Sequence, residues 1–354
     1  MSKSPSILSV GRALPKHYAD QESLVGVLKR LWVKQHFNPA RVEDLHRAVK
    51  VAGRHLALPI EDYERLETFQ QHNDAWIRVA LEIGEEAARE AIHRAGLEPK
   101  DVDHIFFVTV TGIAVPSLDA RLVNRMGFRP DVKRTPIFGL GCVAGAAGIA
   151  RASDYVRAFP GEVALLLSTE LCSMTLQRGD LSVANLIASG LFGDGAAAVV
   201  IGGGERTPQS GPRILATRSV FYPDTERMMG WDVVDTGFKI VLSAGVPEIV
   251  YRHIAGDVDA FLSAHDLDRS KIRHFVAHTG GPKVLQAFSE ALALPPNALA
   301  RSWDSLEKNG NLSSASVLFV LRDLLDSGEA KPGDLGLLLA MGPGFCSELV
   351  LLRW

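Results

Sequence analysis

The sequence predicts an α/β fold built from two duplicated halves, and three observations predict it. Continuous apolar runs at residues 163–168, 196–201, 335–339 and 349–352 alternate with helical patterns, as strands covered on both faces do. Leu97, His104 and Thr109 match Leu267, His274 and Thr279 in order, at an offset of 170 (267 − 97). Gly141-Cys142 and Gly310-Asn311 each open a helix rich in small residues, at an offset of 169 (311 − 142). A nearly constant offset marks an internal duplication. The 354 residues, at about 150 per domain, then divide into residues 1–205 and 206–354, with the boundary in the Gly- and Pro-rich stretch 202–212.

The elements follow in order. Residues 21–67 are mixed and charged and read as helices with loops. From Trp76, the residues Ile77, Ala80, Ile83, Ala87, Ala88, Ala91 and Ile92 recur at helical spacing. Gly96 is a C-cap for that helix. A buried strand begins at His104 and ends before Gly112. In the second half a helix runs from Val246 to about Asp266. A strand ending at His278 then meets Thr279-Gly280-Gly281-Pro282.

Composition narrows the function. Hydrophobic residues are 47% and charged residues 22%, the balance of a soluble globular chain rather than a disordered one. A net charge of -3 gives no basic excess for a nucleic-acid partner. Three scattered cysteines without a CxxC pair argue against a disulfide framework and a thiolate zinc site, and fit a reducing compartment. The apolar runs fall far short of the ~20 residues of a membrane span. The first twenty residues lack the apolar core of a signal peptide. The expectation is a cytoplasmic protein with no membrane partner and no metal.

Three polar residues stand out. Cys142 follows a glycine and precedes Val-Ala-Gly-Ala-Ala-Gly. A thiol at a tight strand-to-helix turn sits where helix N–H groups favour the thiolate; an inert core cysteine fits the segment equally well. His278, at a strand end before a Gly-rich loop, is placed as a base, although a lone histidine there is more often structural. Asn311 reads as an amide donor or as a plain N-cap. The duplication puts Cys142 and Asn311 at equivalent turns and His278 on a strand-end loop. Together they supply a nucleophile, its base and an oxyanion donor.

Gly141-Cys142-Val-Ala-Gly, Leu191-Phe192-Gly193-Asp194-Gly195, His278-Thr-Gly-Gly-Pro282, Gly310-Asn311-Leu-Ser-Ser314 and Met341-Gly342-Pro343-Gly344 occur together in one order. In these motifs, and over nearly its whole length, the chain resembles the type III polyketide synthases, the group of chalcone and stilbene synthases, in their bacterial form. The resemblance implies a thiolase-like αβαβα fold of five layers and a homodimer. It implies malonyl-CoA and an acyl-CoA starter as substrates, with no cofactor besides these thioesters. Cys142 would carry the acyl chain, with His278 and Asn311 stabilising the charge formed on decarboxylation. Phe192 and Phe238 match the phenylalanines at the mouth of the acyl cavity; core packing stays open for both. Cys172 and Thr175 fall in the cavity wall, and Gly280 and Gly281 beside the site. Val115-Pro116 matches a residue reaching across the dimer followed by a cis-proline. Val110 falls where some members have a hydroxyl near Glu170 and Ser313, so a cyclisation route needing that network is in doubt. Arg41, Arg47, Lys50 and Arg54 are candidates for CoA phosphates, or a solvated helix face.

The resemblance and the apolar wall favour an alkyl α-pyrone as product. A resorcinol, phloroglucinol or tetrahydroxynaphthalene is the alternative. Rival readings are a ketoacyl-carrier-protein synthase III, a papain-like cysteine hydrolase and a catalytically silent interaction protein.

Overall fold

The computed structural model describes residues 4–32, 39–206 and 211–354. The first half begins with β1 (Ser6–Ala13), then β2 (His17–Asp20), α1 (Gln21–Trp32), α2 (Pro39–Ala48) and β3 (Gly53–Leu56). It continues with α3 (Phe69–Arg94), β4 (His104–Thr109), α4 (Leu118–Met126), β5 (Lys133–Phe138), α5 (Ala144–Ala158), β6 (Val163–Leu171), α6 (Val183–Leu191) and β7 (Asp194–Gly202). The second half has β8 (Arg213–Phe221), β9 (Met229–Val234), β10 (Gly237–Leu242), α7 (Val246–Ser263) and β11 (Ile272–Ala277). After these come α8 (Pro282–Ala291), α9 (Ala300–Asn309), α10 (Ser316–Ser327), β12 (Leu335–Gly342) and β13 (Cys346–Arg353).

The main sheet runs β5-β4-β6-β7-β1 in the first half and β11-β12-β13-β8 in the second. The two parts meet edge to edge where Ser6 pairs with Arg213. Pairing sense repeats between them. β4–β6 and β11–β12 are parallel; β6–β7, β7–β1, β12–β13 and β13–β8 are antiparallel. Strand periodicity explains the layering. In β6, Leu165 and Leu167 belong to the core under α3, whereas Ala164 and Leu166 belong to the core shared with α5 and α10. α7 and α8 cover the far face of the second sheet. The layers are therefore α, β, α, β, α, the thiolase-like arrangement, with α5 and α10 buried between two sheets.

That central position explains the small residues after Cys142. A Cβ on Gly145 would lie 2.2 Å from the Ser314 carbonyl oxygen, and one on Gly148 would lie 2.4 Å from Leu166. α3 starts seven residues before the periodic pattern shows it. Thr68 caps it, its hydroxyl accepting from Gln71 N while Gln71 Oε1 accepts from Thr68 N, a reciprocal cap that apolar spacing does not reveal. α7 ends at Ser263, three residues short of the expected end.

The repeat needs one correction. α5 starts at Ala144 and α10 at Ser316, so the helices are offset by 172 (316 − 144). The single 3-10 turn Gly141–Val143 corresponds to Ser313–Ala315. Asn311 lies before that turn, so it is not the positional counterpart of Cys142.

Candidate active site

Cys142 lies on the 3-10 turn that feeds α5 and is 5% exposed. Gly141 has φ 55, and a Cβ there would meet Pro343 at 2.8 Å. The Met341-Gly342-Pro343-Gly344 segment thus packs directly on the cysteine turn. Ser313 Oγ lies 3.8 Å from Cys142 Sγ. Ser313 itself adopts φ 51, a left-handed conformation costly for a residue with a Cβ. Its N–H is held by Asn311 Oδ1 at 2.8 Å, and Ser316 Oγ donates to the same oxygen at 3.3 Å. Two donors on Oδ1 fix the orientation of the Asn311 amide, and Asn311 acts to lower the thiol pKa. Asn311 therefore anchors the Ser313 turn; the N-cap residue of α10 is Ala315.

His278 continues β11 beyond its last strand residue, its N–H bonded to Leu339 O at 3.0 Å. β11 and β12 run parallel, and β12 ends against the cysteine turn, where a Cβ on Gly342 would lie 2.6 Å from Val143 N. The histidine and the cysteine thus come to the same end of the second sheet. His278 is 3% exposed, and its Nδ1 has no protein partner.

Burial dominates the electrostatics. The Cys142 thiol is pushed up to about 12 by desolvation, opposed by the Ser313 and Asn311 hydrogen bonds and assisted by Glu170. The helix N-terminus, worth ~0.3–1 kcal/mol at an exposed site, does not offset it. Burial thus opposes the expected resting thiolate. His278 is lowered to about 3 by burial alone, so its imidazole is neutral at rest.

Glu170, wholly buried, collects five donors. Thr109 Oγ1 (3.3 Å), Val110 N (3.1 Å) and Thr111 Oγ1 (2.9 Å) reach Oε2, and Ser313 Oγ (3.3 Å) and Ser314 Oγ (2.5 Å) reach Oε1. Burial raises its carboxyl above the usual range, and these donors draw it back. The network thought lost with Val110 is present. Val110 joins through its backbone N–H, while Thr109 and Thr111 supply the hydroxyls.

Two openings flank this centre. A groove lined by Ala48, Val49, Leu191, Gly280, Gly281 and Lys283 leads past α2 to the loop after His278. An apolar cavity lies on the other side, with Cys172, Thr175, Phe192, Trp231 and Ile240 in its wall. Leu191 and Phe192, adjacent in sequence, separate the two. Asn311 binds that partition: its N–H donates to Leu191 O at 2.8 Å, and its carbonyl accepts from Gly193 N at 3.0 Å.

A model described as chalcone and stilbene synthases, N-terminal domain, matches residues 2–205, and the corresponding C-terminal domain matches residues 213–354. The chain belongs to the chalcone and stilbene synthase family. A 1,3,6,8-tetrahydroxynaphthalene synthase of Streptomyces peucetius subsp. caesius is 50% identical, covering 100% of this chain and 94% of the relative. A putative chalcone synthase of Bacillus subtilis (strain 168) is 36% identical over 98% of each. The crystal structure of the 1,3,6,8-tetrahydroxynaphthalene synthase of Streptomyces coelicolor A3(2) superposes with a TM-score of 0.93 at 34% identity, covering 99% of each chain.

As a type III polyketide synthase the chain is a malonyl-CoA-dependent acyltransferase. Not every residue picked from its sequence joins this centre. Arg54 is 3% exposed on β3, so it is removed from the candidates for CoA phosphates. Arg41, Arg47 and Lys50 are exposed around α2. Phe238 is not on the cavity wall; it packs with Phe69, Phe138 and Trp231 at centroid distances of 5.3, 6.2 and 6.3 Å. Val115 is 92% exposed, and its bond to Pro116 is cis.

Sequence reasoning missed Thr109, Thr111 and Ser314 around Glu170, and Trp231 in the cavity. The pair of threonines flanking Val110 was the available signal. Among the described residues, no helix is long and apolar enough to cross a membrane.

Proposed function

We propose that this type III polyketide synthase uses malonyl-CoA alone, builds a chain of five two-carbon units and closes it to a tetrahydroxynaphthalene. The 50% identity to a synthase of that name, over the full chain, carries this reading. Cys142 attacks the starter thioester as His278 takes the thiol proton. The CoA thiolate leaves with that proton, and the acyl group rests on sulfur. Malonyl-CoA enters by the groove, with Arg47 and Lys50 toward its phosphates and Arg41 farther along the same helix. Loss of CO2 leaves an electron pair on the α-carbon as an enolate. His278 and the Asn311 amide hold its oxygen, as fixed donors do for developing charge. The enolate carbon attacks the Cys142 thioester, forming the new C–C bond and releasing the thiolate for the next transfer. Ring closure requires proton movement near the thioester, and the hydroxyls around Glu170 are suited to it.

The apolar cavity wall favours a second reading, the alkyl α-pyrone. Leu24, Val27, Leu28 and Leu56 would bury an alkyl tail at ~0.8 kcal/mol per CH₂. Phe192 would face the chain, while Phe238 would support the wall from behind. The protein would act in the cytoplasm as a homodimer, with Val115, Ile113 and Phe138, all exposed apolar residues, at the contact. No cofactor, metal, membrane or nucleic acid enters the scheme.

The test is incubation of the purified protein with malonyl-CoA alone and with hexanoyl-CoA added, followed by mass and ultraviolet analysis. A dominant aromatic pentaketide from malonyl-CoA alone is expected. Alkyl pyrones as the main product, with little turnover of malonyl-CoA alone, would replace that reading with the second.

A further inference from the structure

Arg54 is a buried cation with no assigned task. Its Nη1 donates to Gln21 Oε1 at 2.8 Å and Gly190 O at 2.7 Å, and its Nη2 to Ser189 O. All three acceptors are neutral. Asp194, the carboxylate that influences it most, is taken up by Ala57 N, Ser173 N and Ser173 Oγ. Arg54 Nε is buried and has no partner.

The side chain lines the apolar cavity, and its stem passes the Asn311 loop, 3.7 Å from where a Cβ on Gly310 would stand. The other buried polar groups on that wall are committed within the protein. Tyr63 OH pairs with Ser173 Oγ, Thr175 Oγ1 donates to Cys172 O, Ser189 Oγ donates to Leu186 O, and Asn185 Nδ2 donates to Gln177 O and Asp180 O. Among the described residues, Arg54 Nε is the buried N–H of this wall that lacks an acceptor.

A saturated acyl tail offers such a donor nothing, and burying the tail there would leave the cation unsatisfied. A poly-β-keto chain carries an oxygen on every second carbon, and its acidic methylenes let it enolise. We propose that Arg54 Nε–H binds a keto or enolate oxygen of the growing chain, making this cavity a subsite for oxygenated rather than alkyl chains. The proposal rests on the polyketide synthase reading and extends it to chain discrimination.

Two thioesters of equal length isolate the effect: 3,5-dioxohexanoyl- and hexanoyl-N-acetylcysteamine, bound to the Cys142→Ala protein so that no turnover occurs. The dioxo thioester should bind about tenfold more tightly or better, as a charge-assisted hydrogen bond would give. With arginine labelled in 15N, it alone should shift the Arg54 Nε–H resonance. Arg54→Lys, which keeps a charged donor for the carbonyls but loses Nε–H, should reduce the preference to within about threefold. Equal binding in the parent, no resonance shift, or an unchanged preference in Arg54→Lys would overturn the proposal. If Arg54→Lys does not fold, the parent titration decides by itself. A wild-type enzyme that makes no polyketide from malonyl-CoA would instead defeat the functional reading; turnover without the preference defeats only the Arg54 subsite.

Discussion

Cys142 reaches the buried carboxyl of Glu170 through a single hydroxyl, that of Ser313, with steps of 3.8 and 3.3 Å. Glu170 is thus both the centre of a polar core and a neighbour of the nucleophile candidate. Glu170→Ala leaves Val110 N–H and four hydroxyls without the carboxylate they donate to. Each buried donor left unpaired costs about 1–3 kcal/mol, and hydroxyls can turn elsewhere whereas Val110 N–H cannot. The expected loss is roughly 3 kcal/mol or more in urea unfolding. Glu170→Gln, which keeps one acceptor oxygen, should lose less than half as much. Equal losses in both variants would show that one retained acceptor oxygen does nothing for these donors and that the intact carboxyl is what holds this region together.

The state of the Cys142 sulfur gives a second prediction. A helix N-terminus alone would place its pKa below the ~8.5 of a free thiol, whereas burial places it at about 12. Iodoacetamide labelling of Cys142 in the resting enzyme, followed by peptide mass spectrometry, should rise steadily through pH 9 with no plateau. An inflection below pH 7 would establish a resting thiolate. Cys142→Ala should abolish acyl loading from malonyl-CoA and keep the wild-type unfolding midpoint within a few degrees.

Acid stability tests His278. Its pKa is about 3 folded against ~6.5 unfolded. Between these values the unfolded chain binds the extra proton, so stability falls as pH falls from 6.5 toward 3. His46, at about 4 through burial and then Arg54, acts in the same direction. Asp194, raised by burial to about 6, acts oppositely from about pH 4 to 6, because there the folded state holds the proton. Comparing His278→Gln with wild type cancels the other two. The variant should gain on wild type by about 1.36 kcal/mol per pH unit on going from pH 6 to pH 4. A constant difference across that range would mean that His278 titrates normally in the fold.

Much of this was legible in sequence because its cause is local. Apolar runs specify buried strands whatever surrounds them, so β6, β7, β12 and β13 were visible. Gly141-Cys142 and His278-Thr-Gly-Gly-Pro282 mark turns by residue type. The ring of donors on Glu170 was not legible, because it joins β4, β6 and the Ser313 turn across up to 144 residues, and Val110 contributes a backbone group that every residue but proline carries. Arg54 was misread for a related reason: a charged residue after a helix defaults to solvent, and only the β3 register shows it pointing inward. The desolvation of Cys142 was not legible because helix placement is a sequence property, whereas burial depends on the whole fold.

The glycines between the sheets supply the last prediction, with an internal control. At Gly145 a methyl group would lie 2.2 Å from Ser314 O and 2.8 Å from Val317. The first contact is backbone in the turn that holds Ser313 and Ser314 on Glu170, so it cannot rotate away. Gly145→Ala should therefore push α5 and α10 apart, displace Ser313 from Cys142 and abolish product formation. Overpacking of this kind costs about 1–3 kcal/mol, more where backbone is met. Gly256, within α7, has nothing within 4 Å of its added Cβ and carries no positive φ. Gly256→Ala should instead stabilise the enzyme by about 0.5–1 kcal/mol and leave turnover of malonyl-CoA unchanged. Thermal unfolding and steady-state rates of the two variants, measured side by side, separate the effects. A Gly145→Ala enzyme with wild-type stability and activity would mean that the helices between the sheets are not in the close contact described.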